Sequence, residues 1–352
     1  MTKRILGIGA MTVLATAGMG LGAAHADSST DISGRIYANA SSISEKIDGV
    51  KTSKDGIGFD VKRFYLGVDH KFDSIWHVAV TTDFTYSSAT GLTDVYIKKA
   101  YGEANFSPAL DVRIGSTDLP WVPFVEDIYG YRYVENVLAD RMKFGTSADW
   151  GIHVKGKFGI LSYAGAVVNG GGYKKLTRSK SVDFEGRISV EPIKGLTAAV
   201  GGYTGKLDAD VTGVTTFHTA TRLDALVAYK TKFFNIGGEY MHAKNWKQVL
   251  SAATDSADGF SVFGAVHPGM GFSVFARYDH TKPSKTLQPT LKNDYFNVGV
   301  EYTAAKTVNI ALVYKNEQNK NGGWGTSNLS GGNAATLKDK YDEIGLFTQF
   351  KF

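Results

Sequence analysis

Apolar and polar residues alternate with a period of two along almost the whole chain, the spacing that sends successive side chains to opposite faces of a β-strand. Phe64, Leu66 and Val68 alternate with Arg63, Tyr65, Gly67 and Asp69. Trp76, Val78, Val80 and Phe84 alternate with His77, Thr81, Asp83 and Thr85, and Val182, Phe184, Ile188 and Val190 with Asp183, Glu185, Arg187 and Ser189. The pattern predicts sixteen strands, at 32–41, 59–72, 76–86, 95–106, 110–115, 150–158, 161–169, 182–190, 196–204, 219–231, 233–244, 259–266, 270–279, 294–303, 307–316 and 342–352. In the last of these, Ile344, Leu346, Phe350 and Phe352 share a face, and Phe347 alone breaks the pattern. In the fourth, Lys98 and Lys99 are adjacent, so a regular strand would point one of them outward or make it snorkel.

The connections alternate short and long. Short ones include Asp73-Ser74-Ile75, Ser107-Pro108-Ala109, Gly159-Ile160 and Ala304-Ala305-Lys306, while long ones lie near 42–58, 87–94, 116–149, 170–181, 205–218, 245–258, 280–293 and 317–341. No sequence repeat of fixed period accompanies them, as a propeller or solenoid would require. An even number of antiparallel strands with tight turns on one side and longer loops on the other fits a transmembrane β-barrel. In such a barrel the last strand pairs with the first and leaves no open edge in lipid. The apolar set then faces lipid, where a charge at mid-depth costs about 2–4 kcal/mol. The polar set faces a lumen, and sixteen strands leave that lumen wide enough for water.

Composition agrees. Mean hydropathy is −0.14, and beyond the N-terminal segment no apolar run is long enough for a spanning helix. Glycine is abundant at 41, proline scarce at 7, and the 18 tyrosines and 20 phenylalanines fit strands with interfacial aromatic girdles. Candidate girdle residues are Trp76, Tyr86, Tyr96, Phe106, Trp150, Tyr229, Phe234, Tyr240, Tyr278, Tyr302 and Tyr314. Lys3 and Arg4, the uncharged run Ile5 to Ala24 and the triplet Ala24-His25-Ala26 read as a secretory signal peptide. The expected division is therefore a signal at 1–26 and a barrel at 27–352. With no cysteine there is no disulfide scaffold. The formal charge of +5 is spread along the chain, which gives no footing for nucleic acid. The eight histidines show no metal-ligand spacing, and neither a nucleophile elbow nor a phosphate-binding loop is present. No cofactor and no enzymatic activity are expected.

Export signal, sixteen strands, a long third loop from Ser116 to Asp149 and the terminal Phe352 together resemble the Gram-negative outer-membrane porins. The resemblance is one of architecture over the whole chain past the signal. The loop reads Asp118-Leu119-Pro120-Trp121-Val122-Pro123-Phe124 and lacks the Pro-Glu-Phe-Gly-Gly run of enterobacterial general porins. Its surroundings from Val112 to Lys157 look somewhat nearer the phosphate-selective O and P porin type. The resemblance implies that the third loop folds into the pore, that the molecule is a homotrimer surrounded by outer-membrane lipid and lipopolysaccharide, and that small hydrophilic solutes and ions diffuse through it. Small-residue strands at Leu161–Asn169 and Leu196–Thr204, with the termini, are candidates for the trimer wall. By the same likeness, loop acids Glu126, Asp127, Glu135 and Asp140 would face a basic wall of Arg35, Arg63, Arg113, Lys155, Arg187 and Arg222 and set up a transverse field. Inward acids from Asp69 to Glu301 roughly balance the basic residues, so the lean toward anions is slight. A substrate-selective anion channel, for phosphate for example, and a structural or adhesive barrel without an open pore are the alternatives. The loop tips Asn321-Gly322-Gly323 and Gly331-Gly332-Asn333 read as mobile caps.

Overall fold

In the computed structural model, residues 28–87 and 92–352 are described, so the expected signal at 1–26 lies outside them. The strands are β1 (Ser29–Ile47), β2 (Val50–Lys51), β3 (Gly56–Lys71), β4 (Trp76–Ser87), β5 (Leu92–Ser107), β6 (Leu110–Asp118), β7 (Ala148–Phe158), β8 (Leu161–Val168), β9 (Asp183–Ile193) and β10 (Leu196–Gly205). They continue with β11 (Ala220–Lys230), β12 (Phe234–Lys244), β13 (Ser256–Gly269), β14 (Phe272–Lys282), β15 (Lys292–Ala305), β16 (Val308–Lys320) and β17 (Lys338–Lys351). The two-residue β2 only extends the β1–β3 hairpin. The other sixteen coincide with the sixteen predicted from periodicity. Several run further at the loop end, β1 to Ile47 and β16 to Lys320 for example. Above the lipid the ladder still pairs, but its outward side chains need not be apolar, so the period-two signal stops before the strand does.

Each strand pairs antiparallel with its sequence neighbour, and β1 pairs with both β3 and β17, which closes the barrel. The closing register runs from Arg35 opposite Lys351 to Ile47 opposite Asp339. It is completed by Phe352: the Gly34 N–H donates to the Phe352 carbonyl at 2.9 Å, and the Phe352 N–H to the Gly34 carbonyl at 3.1 Å. The Phe352 ring lies over Gly34, where any β-carbon would collide with it. At the turn end the connections are short. The β13–β14 turn places Met270 at φ 52° and Gly271 at φ 80°, the two positive values that the tightest hairpins need.

The outer surface carries the predicted apolar set. Leu66, Val78, Ile114, Ile152, Phe184, Leu312 and Leu346 are all exposed there. Neighbouring rings pair along it, as Phe272 with Tyr302 (4.9 Å) and Phe296 with Tyr314 (5.5 Å). One expectation changes, and one exception is explained. Tyr96 is not a girdle residue: its hydroxyl donates to the inward Asp83 at 3.0 Å. Phe347 faces inward and is fully buried, under the ammonium groups of Lys315 and Lys62 at 4.4 and 4.8 Å from its ring centre. A cation over the ring face replaces water there.

Leu312 sits mid-strand on the lipid face, between Val300 and Leu346. Leu312→Lys is expected to destabilise the folded barrel by about 2–4 kcal/mol, read as a shifted urea midpoint of the protein refolded in lipid. Gly34→Val should displace the Phe352 ring and weaken the seam, seen as a lower temperature at which the compact, heat-modifiable band is lost on electrophoresis.

Candidate channel constriction

The segment between β6 and β7 holds two short helices, α1 (Val122–Tyr129) and α2 (Leu138–Arg141). Pro123 near the start of α1 costs no hydrogen bond. Gly130, at φ 82°, ends it by donating its N–H to Glu126 O at 2.9 Å. Trp121, Val122, Val125, Tyr129, Val134, Val137, Leu138 and Met142 are buried, and Phe124 and Ile128 pack beside them. Their partners include the inward-facing Leu226, Met241, Phe263, Phe275 and Val313 of β11–β16. Tyr131 stacks on Phe275 at 4.0 Å between ring centres. The inner faces of β11–β16 thus offer apolar seats between their charged residues, whereas strict alternation predicts a polar inner face throughout.

Polar groups of the wall complete the attachment. Wall carboxylates accept loop donors: Glu185 from the Trp121 N–H (2.9 Å), Glu239 from the Leu138 N–H (3.1 Å) and Glu301 from the Tyr133 hydroxyl (2.6 Å). Wall arginines donate to loop carbonyls: Arg187 to Pro120 (2.9 Å), Arg222 to Phe144 (2.7 Å) and Arg277 to Asn136 (2.6 Å). Arg141 of α2 is fully buried, with its Nε 2.9 Å from Asp279 and its Nη1 on Glu317. Backbone groups that no helix or sheet satisfies therefore find charged partners.

The structure separates the six basic candidates into three groups. Arg187 and Arg222 lie beneath the loop and hold it. Arg113 is 3.0 Å from Glu103 and Lys155 is 3.3 Å from Asp111, which ties both to wall carboxylates. Arg35 and Arg63 line open space, although Arg63 is also held by the wall carboxylate of Asp83 at 2.9 Å. Of the loop acids, Glu126 pairs with Arg132 of the same loop, and Asp140 is 3.7 Å from that guanidinium. Glu135 lies 3.5 Å from Lys315 and accepts from Asn328 at 2.9 Å. Burial alone would raise the Glu135 carboxyl, but Lys315 and Lys62 outweigh it and hold it below its ordinary value. Asp127 is pushed above the ordinary aspartate value by burial, with Asp118 and Glu126 adding to the effect.

Two lysines join the lumen through β-bulges. Opposite β1, Tyr37 pairs with Arg63 and Ala38 with Val61, so Lys62 is the extra residue. Opposite β4, Thr81 pairs with Lys99 and Thr82 with Ile97, so Lys98 is extra. An extra residue re-aims the side chains beyond it. Both Lys98 and Lys99 consequently point inward, Lys98 to the Tyr65 hydroxyl at 3.2 Å and Lys99 to Asp118 at 2.5 Å. Neither snorkels. Adjacent basic pairs within strands, Lys62-Arg63 and Lys98-Lys99, were the signal.

Two cavities remain beside the loop. One, of 850 Å³, opens toward the loop end and is lined by Lys62, Arg63, Glu135 and Asn328 among others. The second, of 710 Å³, lies toward the turn end and is lined by Arg35, Lys98, Lys99, Glu126, Asp127 and Lys351. Tyr37 and Arg132 line both and mark the neck between them. The loop tips at 321–323 and 331–333 are not free caps: Trp324 and Leu329 between them are buried.

A closed sixteen-stranded barrel with an apolar belt outside and charged cavities inside is the architecture of the bacterial outer-membrane porins. An anion-selective porin from Comamonas acidovorans superposes with a TM-score of 0.68 at 12% identity, over 93% of this chain and 100% of that one. OmpT, an outer membrane protein of Vibrio cholerae, in its trimer form, gives 0.64 at 14% identity, over 92% and 99%. OmpF of Salmonella typhi in complex with daunomycin gives 0.60 at 11% identity, over 91% and 97%. No protein-family model and no curated protein matches the sequence.

Arg141→Ala would leave the buried Glu317 without its cation, while Asp279 keeps Arg277 at 2.7 Å. It is expected to lower stability by about 3–5 kcal/mol, the scale for removing one partner of a buried pair, and to open residues 119–147 to protease while the barrel stays intact. Denaturant unfolding and limited proteolysis check the two effects.

Proposed function

We propose that this chain is a porin in function as well as in architecture: a non-enzymatic, water-filled channel for small hydrophilic solutes and ions, with a preference for anions. The observation that carries the preference is the cavity at the turn end. Among the described residues, Arg35, Lys98 and Lys351 have no carboxylate within ion-pair distance there, and Arg35 and Lys351 are direct cross-strand neighbours. Among the described residues, Asp127 is the acid of that cavity left without a basic partner at that distance, since Asp118 is engaged by Lys99 and Glu126 by Arg132. Like charges placed side by side repel, and a passing anion relieves that repulsion. Acids and bases along a narrow path set selectivity by sign and number.

The same reading takes residues 1–26 as a cleaved export signal and the molecule as a homotrimer in outer-membrane lipid and lipopolysaccharide. The trimer is supported by the trimer form of the similar Vibrio cholerae protein. A phosphate-type, substrate-selective channel differs from the general one by saturation and block. An adhesive barrel without an open pore differs by having no conductance.

Purified protein in a planar bilayer is expected to open in groups of three, with a reversal potential under a KCl gradient of the anion-selective sign. Silence over many insertions overturns the channel. Replacing Lys98 and Lys351 together by Gln should shift the reversal potential toward cations. Acidification should move it the other way. Asp127 has a raised pKa, so it loses its negative charge at a higher pH than an ordinary aspartate, and anion preference should begin to rise there. Asp127→Asn should remove that early step.

A further inference from the structure

We infer that the loop between β16 and β17 is a second constriction element, which controls the outer cavity as the 119–147 segment controls the neck. The inference rests on the porin reading. Glycine-rich and polar, the segment 321–337 would ordinarily stand in solvent. Instead it descends. Trp324 stacks on Phe144 of the third loop, with ring centres 5.4 Å apart, and donates its indole N–H to Met142 O at 3.2 Å. The Ser327 N–H donates to Arg141 O at 3.0 Å. Asn328 is buried and bridges two carboxylates, donating to Glu135 and Glu317, each at 2.9 Å.

The far side of the loop reaches β1, its neighbour beyond β17. Glu45, fully buried, accepts the Ser330 N–H at 2.6 Å and the Ser330 hydroxyl at 3.1 Å. Lys54, 3.6 Å from Glu45, donates to Asn328 O at 2.5 Å. The loop is thereby stretched from the third loop to the β1–β3 hairpin, and residues 326–330 form one wall of the 850 Å³ cavity.

Its shape is fixed by backbone crossing. Gly323 packs on Gly332, and Gly331, at φ 80°, packs on Gly325 with 2.5 Å between a built β-carbon and the Gly325 nitrogen. Two stretches of chain meet there at a separation that only glycine allows. Its ends are close, the Asn321 N–H donating to Leu337 O at 2.9 Å, so the segment is a compact loop of the kind that often carries function. The glycines thus serve to form a plug, and Glu45 serves as its latch.

The outer cavity and the inner one, of similar size, lie in series on either side of the Tyr37–Arg132 neck. Shortening residues 326–330 to Gly-Gly should raise single-channel conductance by up to about twofold, the limit reached when the part removed holds half of a series resistance that also includes the neck. It should also admit larger neutral sugars in liposome swelling. Glu45→Ala should produce a smaller change in the same direction without altering the loop sequence. The reversal potential set by Lys98 and Lys351 should stay on the anion side in both variants. Folded variants with the conductance and sugar cut-off of the parent protein would overturn the plug. A silent parent protein would overturn the channel itself, a different and separately visible result.

Discussion

Everything in this molecule depends on the hydrogen-bonded ladder between its first strand and its last. In hydrocarbon an unpaired N–H or C=O costs several kcal/mol, so neither β1 nor β17 can exist as an edge. Thirteen register pairs from Arg35/Lys351 to Ile47/Asp339, with the Gly34–Phe352 pair beyond them, remove both edges at once. Closure then fixes which face of each strand meets lipid and which meets the lumen. That division makes Lys315, Glu343 and Asp279 tolerable, because inside the barrel they find each other, water or the loop.

The same constraint explains the two bulges. An apolar belt has no place for Lys62 or Lys98, yet regular alternation would give it one residue of each adjacent basic pair. Inserting one unpaired residue into a ladder sacrifices part of a hydrogen-bond repeat, roughly 1 kcal/mol for a bond not made, against about 2–4 kcal/mol for a lysine in lipid. The bulge is the smaller cost. It also concentrates Lys62 and Arg63, and Lys98 and Lys99, on the part of the wall that the third loop leaves uncovered.

How far the sequence reveals this follows from the range of each interaction. Strand positions are legible because one side of every strand meets a uniform solvent, lipid, and the period-two signal in Phe64-Leu66-Val68 or Val308-Ile310-Leu312 is local. Short turns are legible for the same reason. The destination of a loop is not local. Arg187 and Arg222 look like pore residues by their inward parity, and only the path of the backbone through Pro120 and Phe144 shows that they are supports. Arg132 escapes notice because it belongs to the loop itself. Gly331-Gly332 reads as a flexible tip, since close approach to Gly323 and Gly325 is written in space and not in the neighbouring letters.

The inner wall is divided between two tasks, and the division determines where the channel can be. Leu226, Met241, Phe263, Phe275 and Val313 on β11–β16 offer an apolar seat, whose burial under the loop is worth about 25 cal/mol for each Å² removed from water. The loop carries the matching surface of Trp121, Val125, Tyr129 and Leu138. It must lie on that side, and the buried Arg141 with its two carboxylates fixes its register there. What is left open is the opposite wall of β1, β3, β5 and β17, where Arg35, Arg63, Lys98 and Lys351 are gathered. The position of the pore is thus set by hydrophobic burial, and its charge by the strands that burial leaves bare.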